Sequence, residues 1–195
     1  MNQDLSSFVF GKRGALLALP AVVLAAFGKP SAFSIATGLP LAFAGEVVRM
    51  WAVGYSGVTT RGDTVTAPAL VTAGPYAYVR NPLYVGNFLT ATGFALAFTG
   101  KNSAPVRVVL VGGALAAMLG VYAVIVPHEE GYLRATFGAS FDDYCERVPR
   151  IVPALEPSEP RQGSYDPDVI GKAETRTWLT FGAMLGVLAY KALRR

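Results

Sequence analysis

The alternation of apolar and polar positions divides the chain into four or five apolar runs separated by short polar breaks. The first run covers about 14–28, with Pro20 inside it, and Gly28-Lys29-Pro30 then makes a tight turn. The second, 32–53, is long enough to cross a bilayer, which takes about 20 helical residues. The third, 83–99, and the fourth, 106–126, are joined by the short loop Gly100 to Ser103, after which Pro105 suits a helix start. A last run, 178–193, is short; it crosses, re-enters or lies along the surface. Between the second and third runs, 54–69 reads as a polar loop whose Val-Thr-Val alternation hints at a short extended piece. After Pro127 the character changes. His128 to Phe137 predicts a separate helix with a polar face, ended by Gly138. Ser140 to Asp143 looks like a capped start to another short helix, closed by Arg147 to Arg150. Residues 154–175 read as a linker, and Met1 to Ser7 as a frayed start.

This pattern predicts an all-α, polytopic integral membrane bundle of four to five transmembrane helices. It forms a single domain over 1–195, with a core of chemical interest at about 68–153. The second run carries Glu46 and Arg49 three residues apart, hence on one helix face. Ionisable groups inside a span face protein or a water-filled cavity. The two read either as an interfacial pair flanked by an aromatic belt of Trp51 and Tyr55, or as the border of a polar pocket. In the fourth run, Gly112, Gly113, Ala114, Ala116, Ala117 and Gly120 predict close helix packing in lipid.

Composition supports the membrane reading. The chain is 52% hydrophobic and only 15% charged, against about 25% charged in soluble domains, and its mean hydropathy is +0.40. Net charge is +4, but no basic stripe with interleaved aromatics is present, so nucleic acid is not an expected partner. The basic residues set an orientation instead. With the N-terminus in the cytoplasm, Lys12, Arg13, Arg61, Arg80, Arg134, Arg147 and Arg150 lie inside, and Lys29, Lys101 and Arg107 outside. Lys191, Arg194 and Arg195 depart from the rule if the last run crosses. Lys12-Arg13 with the run that follows imitates a signal peptide, but the later runs make it a retained helix. The expected location is a bacterial inner membrane, with the site at its cytoplasmic face. Cys145 is the single cysteine, so neither an intramolecular disulfide nor a Cys-based metal cluster is available.

The chemistry concentrates at the two ends of the hairpin made by the third and fourth runs. One end is LVTAGPYAYVRNPLYVGN, Leu70 to Asn87. Gly74-Pro75 cannot sit inside a regular helix, and Pro82 keeps Asn81 extended or in a turn. Backbone groups freed there can bind polar ligand atoms. Tyr76, Tyr78 and Tyr84 offer ring faces to a cation or a base, or form an interfacial belt. Arg80 holds an anion or snorkels to headgroups. The other end is His128-Glu129-Glu130. Its carboxylates accept hydrogen bonds from ammonium or hydroxyl groups, or simply occupy a first turn favoured by the helix dipole. His128, the sole histidine, excludes a multi-His metal site; it reads as a proton acceptor beside substrate or as a solvated interface residue. Asp142, Asp143, Arg147 and Arg150 read as a solvated surface with structural ion pairs.

GPYAYVRNPLYVGN followed by EEGYLRATFGASFDDYCERVPRIVP resembles the isoprenylcysteine carboxyl methyltransferase and phospholipid methyltransferase family over roughly Glu46 to Pro153. These are integral membrane enzymes that use S-adenosylmethionine. Their core reads Arg-His-Pro-x-Tyr-x-Gly, then a Glu-Glu pair, a Phe-Gly, a Tyr and a closing Arg or Pro. The resemblance implies cofactor-binding roles for Leu70, Val71, Tyr76, Asn81, Pro82, Leu83, Tyr84, Glu129 and Glu130. Arg80 and Asn81 fall within its core motif, and together with His128 they form the candidate catalytic set. It implies no metal, and a lipid or other small membrane-partitioning acceptor. Two positions depart from the pattern. Asn81 stands where most members have His. Ile125 stands where isoprenylcysteine enzymes have an Arg that handles substrate, which points away from a prenylcysteine carboxylate. Membrane sterol reductases, which bind NADPH, are similar in their C-terminal half, but the 2′-phosphate of NADPH wants a basic cluster beyond Arg80, and little is offered before Arg134. A non-catalytic membrane subunit is the remaining alternative.

Overall fold

The computed structural model describes residues 3–57 and 66–194, with side chains from Phe8 onward. The proposed extended piece in 54–69, with Arg61, falls largely outside the described residues, as does Arg195. Every regular element among the described residues is helical: α1 Gln3–Phe27, α2 Ala32–Ser56, a 3-10 turn Gly74–Ala77, α3 Pro82–Phe98, α4 Ala104–Phe137, α5 Ala139–Arg147 and α6 Asp168–Leu193.

Local chemistry explains most of the boundaries. Ser31 caps α2 in a reciprocal box with Ser34. Pro82 opens α3 and Pro105 sits in the first turn of α4, where no backbone N–H is needed. Gly138, at φ 54°, ends α4 and serves as the cap of α5, where no side chain caps the helix.

Three boundaries differ from the expectation. α4 runs unbroken through Pro127 as one 34-residue helix, rather than stopping there. Pro127 lies on an exposed face, and proline is tolerated in membrane helices whose neighbours hold them. α1 is already helical from Gln3, ahead of the run that begins at about 14. α6 begins at Asp168, inside the expected linker, because its charged first turns have a partner: Glu174 is fully buried against Arg49 of α2.

α2 and α3 form the tightest pair. A Cβ at Gly38 would lie 2.4 Å from the Gly93 carbonyl oxygen, and one at Gly93 would lie 2.4 Å from the Ala42 nitrogen. Ser34 Oγ donates to the Ala97 carbonyl at 2.8 Å in the same seam. Close small-residue packing thus occurs here and not at the α4 glycines, since nothing lies within 4 Å of a Cβ at Gly112, Gly113 or Gly120. α4 instead buries Leu110, Ala114, Met118, Tyr122 and Ile125, a stripe at helical spacing. It lies chiefly along α1.

Two helices, Phe8–Phe27 and Ala104–Phe137, are long and apolar enough to cross a membrane, fewer than the four to five expected. The apolar helix α3 has 17 residues, or about 26 Å at 1.5 Å each, and α2 is diluted by Glu46 and Arg49. Many large apolar side chains face outward, among them Leu19, Phe33, Val47, Val108 and Leu179. At the end of the bundle away from Arg80, Lys101 N donates to the Lys29 carbonyl at 2.7 Å, and Lys191 Nζ donates to the carbonyls of Ala26 and Gly28. These bonds gather the turns and the end of α6.

Candidate functional site

The loop before α3 and the C-terminal half of α4 meet, as the hairpin requires. Gly74 is left-handed at φ 61°, and a Cβ there would strike the Tyr55 ring at 2.2 Å, so the turn into Pro75 needs glycine. The following strap, residues 149–167, ties this loop down. Ala154 N donates to the Tyr78 carbonyl and Ser158 N to the Ala77 carbonyl, both at 2.9 Å. Thr72 N and Ala73 N donate to the Gln162 carbonyl. Tyr144 Oη donates to the Tyr76 carbonyl at 2.8 Å. These backbone groups are therefore engaged by the chain itself rather than left for a ligand.

Glu130 is the hub of the arrangement. It is 4% exposed, yet one carboxylate oxygen accepts a hydrogen bond from Asn81 Nδ2 and forms an ion pair with Arg80 Nε, both at 3.2 Å, and the other forms an ion pair with Arg150 Nη2 at 2.7 Å. Arg80 also donates from Nη1 to the Cys145 carbonyl at 2.9 Å, and Asn81 Nδ2 to the Arg150 carbonyl at 3.1 Å. Arg150 is exposed, as the sequence suggests, and its ion pair reaches down to the buried Glu130 from outside the cavity. Arg134 and Asp142 do form an exposed pair, at 2.6 Å.

Glu129, one step along α4, is turned about 100° from Glu130 and faces α3. There its carboxylate faces the Tyr84 hydroxyl. The Tyr84 ring lies 4.5 Å from that of Tyr122. Behind them, Tyr76 is pushed up to about 12 by burial, and the Glu129 charge adds to this against a Ser56 hydrogen bond and the Arg49 charge. Its phenol is neutral at physiological pH.

These side chains border one cavity of about 960 Å³, at the upper end for small-molecule sites. Arg80, Leu70, Val71, Tyr76, Asn81, Pro82, Leu83, Tyr84, Glu129 and Glu130 all line it. His128 does not; its ring packs on Phe10 of α1 at 5.8 Å. Glu46 and Arg49 both pair with one another, at 3.9 Å, and line the cavity. Arg49 also holds Glu174 at 2.9 Å. Tyr55 turns inward onto Tyr165, centroids 5.5 Å apart, while Trp51 stays exposed beside Tyr78.

The cavity has further walls that motif reasoning missed. Arg13 and Leu17 reach it from α1, Asn87 and Ala91 from α3, Met118 and Tyr122 from α4, and Thr177 and Phe181 from α6. Helical spacing carried part of this signal. Asn87 and Ala91 share a face with Tyr84, and Tyr122 lies two turns before Glu129 on the same stripe. The contributions of α1 and α6 had no such signal.

The model of the phospholipid methyltransferase family matches residues 33–140. Among curated proteins, the chain is 37% identical over 109 residues to a nickel-cobalt-cadmium resistance protein of Alcaligenes xylosoxydans xylosoxydans, covering 56% of this chain and 45% of that one. It is 33% identical over 92 residues to a protein-S-isoprenylcysteine O-methyltransferase of Schizosaccharomyces pombe, covering 44% and 34%. It is 30% identical over 125 residues to protein-S-isoprenylcysteine O-methyltransferase B of Arabidopsis thaliana, covering 60% and 57%. The chain thus spans between about a third and just over half the length of these relatives. No solved structure matches. The family match takes in more than half of the chain, including the Arg80–Asn81–Glu130 clamp and the Tyr84–Glu129 contact, and the chain belongs to the phospholipid methyltransferase family.

Proposed function

We propose that the protein is an S-adenosylmethionine-dependent methyltransferase acting on a lipophilic or small membrane-partitioning acceptor. The observation that carries this reading is the meeting of Tyr84 and Glu129 on the wall of one cavity. The side chains present fit that cofactor. A carboxylate such as Glu129 accepts hydrogen bonds from ribose hydroxyls or an ammonium group. The Tyr76 and Tyr84 rings offer faces to adenine or to a sulfonium cation, worth about 0.5–2 kcal/mol. When bound, S-adenosylmethionine supplies a methyl group on a positively charged sulfur.

The chain's own part is positioning. Glu129, Tyr76 and Tyr84 bind, and Leu70, Val71, Asn81, Pro82 and Leu83 close the wall. Arg80, Glu130 and Arg150 hold the loop against α4. The apolar side of the cavity, at Leu17, Met118 and Phe181, suits the body of a lipophilic acceptor. Four or five segments cross the membrane in this reading, with α2 and α3 shielded by their mutual packing and the basic, Arg80-bearing end in the cytoplasm. The reductase alternative finds no support at Arg80 or Arg150, since Glu130 engages both.

Calorimetry on detergent-purified protein tests the proposal. S-adenosylmethionine and S-adenosylhomocysteine are expected to give binding heat that Glu129→Ala removes. No heat with either ligand, from wild type and variant alike, would sink it.

A further inference from the structure

The strap after α5 turns its apolar side chains two ways. Val148 is buried in a cluster with Phe141 and Tyr144. Ile151, Val152 and Leu155, a few residues on, point outward, and Leu155 is 100% exposed. Backbone bonds fix where they lie. Arg80 N donates to the Pro149 carbonyl and Ala154 N to the Tyr78 carbonyl, both at 2.9 Å. The Tyr78 ring sits 6.1 Å from that of Trp51. Trp51 in turn ends an exposed stripe on α2, made by Phe43, Val47 and Trp51 at intervals of four residues. The outward side chains of the strap therefore extend, past Tyr78, the face of α2 that lipid covers in the membrane placement proposed above.

Charge and backbone point to the same occupant. From Arg147 to Leu155 the chain reads Arg-Val-Pro-Arg-Ile-Val-Pro-Ala-Leu, with two cations and no carboxylate. Arg147 and Arg150 are exposed. Exposed aliphatic groups beside arginines, next to an interfacial tryptophan, match acyl chains lying beneath phosphates. Pro149, Pro153 and Pro157 carry no N–H, and the N–H groups of Ala154 and Ser158 are taken by the Tyr78 and Ala77 carbonyls. Both features lower the cost of moving an irregular backbone toward lipid.

We infer that the strap is an interfacial anchor: Ile151, Val152 and Leu155 enter the phospholipid leaflet at the Arg80-bearing end of the bundle, beside Trp51, with Arg147 and Arg150 at the level of its phosphates. This rests on the membrane placement of α2. Because the strap is bonded to the loop of Tyr78 and Arg80, and Arg150 reaches Glu130, the leaflet presses the strap onto the outer side of the site.

The test uses the full chain in phosphatidylcholine nanodiscs, where both faces meet the solvent. In a Cys145→Ser background, Val152→Cys and Leu155→Cys are labelled with bimane. Val47→Cys on the α2 stripe is the lipid reference, and Asp143→Cys on the exposed side of α5 is the water reference. Brominated-chain phosphatidylcholine is expected to quench the strap labels as it quenches Val47→Cys. Iodide should quench them at least about threefold less than Asp143→Cys, as for side chains sunk into the headgroup region. If iodide quenches the strap labels as freely as Asp143→Cys, the strap lies in water and the inference fails. If neither quencher reaches them, protein covers the strap, and the inference fails equally. If Val47→Cys also escapes the brominated lipid, the placement of α2 falls first and takes the anchor with it. Should Val152→Cys not fold, Leu155→Cys alone decides.

Discussion

The Tyr84 hydroxyl in the first turn of α3 faces the Glu129 carboxylate in the last third of α4, so the two ends of the hairpin share one wall of the cavity. In the proposed role the carboxylate carries the recognition and the phenol orients it. Glu129→Gln keeps the shape and loses the charge. A charge-assisted hydrogen bond is worth about 1.5–3 kcal/mol, so S-adenosylhomocysteine should bind Glu129→Gln at least about tenfold more weakly by calorimetry. Tyr84→Phe keeps the ring against Tyr122 and should lose only a few-fold. The reverse order would place the recognition on the tyrosine.

Glu130 does different work from its neighbour. Its carboxylate is buried and takes Arg80, Asn81 and Arg150. Removing one partner of a buried pair leaves the others uncompensated, at about 3–5 kcal/mol. Glu130→Ala should therefore lower the thermal midpoint strongly, with or without cofactor. Arg150, 52% exposed in its side chain, is screened by water, and Arg150→Ala should cost about 1 kcal/mol or less. Intrinsic-fluorescence melts of both variants in detergent check the contrast. Equal losses would mean that Glu130 is not the hub.

The sequence exposed what is local or periodic. The apolar runs became helices, and the proline-rich loop and the acidic pair met because a short loop joins α3 to α4. What stayed hidden depends on partners distant in the chain. Arg150 is surface, as it looks, but its buried partner Glu130 lies twenty residues away and no local pattern names it. The charged start of α6 looked like linker because Glu174 has its partner on α2. Pro127 looked like a helix stop because local sequence does not show which face it occupies. The small residues of α4 and those of α2 and α3 look alike in composition, and only packing distinguishes a seam from an open face. The walls supplied by α1 and α6 had no motif to announce them.

That last distinction is testable. A Cβ at Gly93 would lie 2.4 Å from the backbone nitrogen of Ala42, and backbone cannot swing aside as a side chain does. Gly93→Val should separate α2 from α3, displace Arg49, which packs across Gly86 on the same seam, and lower expression of folded protein. Overpacking a close seam costs about 1–3 kcal/mol or more. Gly113→Val meets nothing within 4 Å and should melt close to wild type. Size-exclusion profiles and melts of the pair decide whether the seam lies where the distances put it.

The alkaline limb of stability should report on Tyr76. Burial raises its phenol from the ordinary 10.0 to about 12, and burial raises Tyr144, which donates to the Tyr76 carbonyl, in the same direction. The folded state therefore holds these protons more tightly than the unfolded chain. Between pH 10 and about 12 the unfolded chain has lost its proton while the folded protein keeps it, so stability is fully present below pH 10 and falls as pH rises through 12. The contribution of Tyr76 is on the order of 2 kcal/mol. Titrated by tyrosinate absorbance, the native protein should show late-ionising phenols, and Tyr76→Phe should remove one of them and flatten the alkaline decline. If Tyr76→Phe instead removes absorbance that develops near the ordinary 10.0, the phenol is hydrated rather than packed behind Tyr84 and Glu129, and the wall of the cavity is open there.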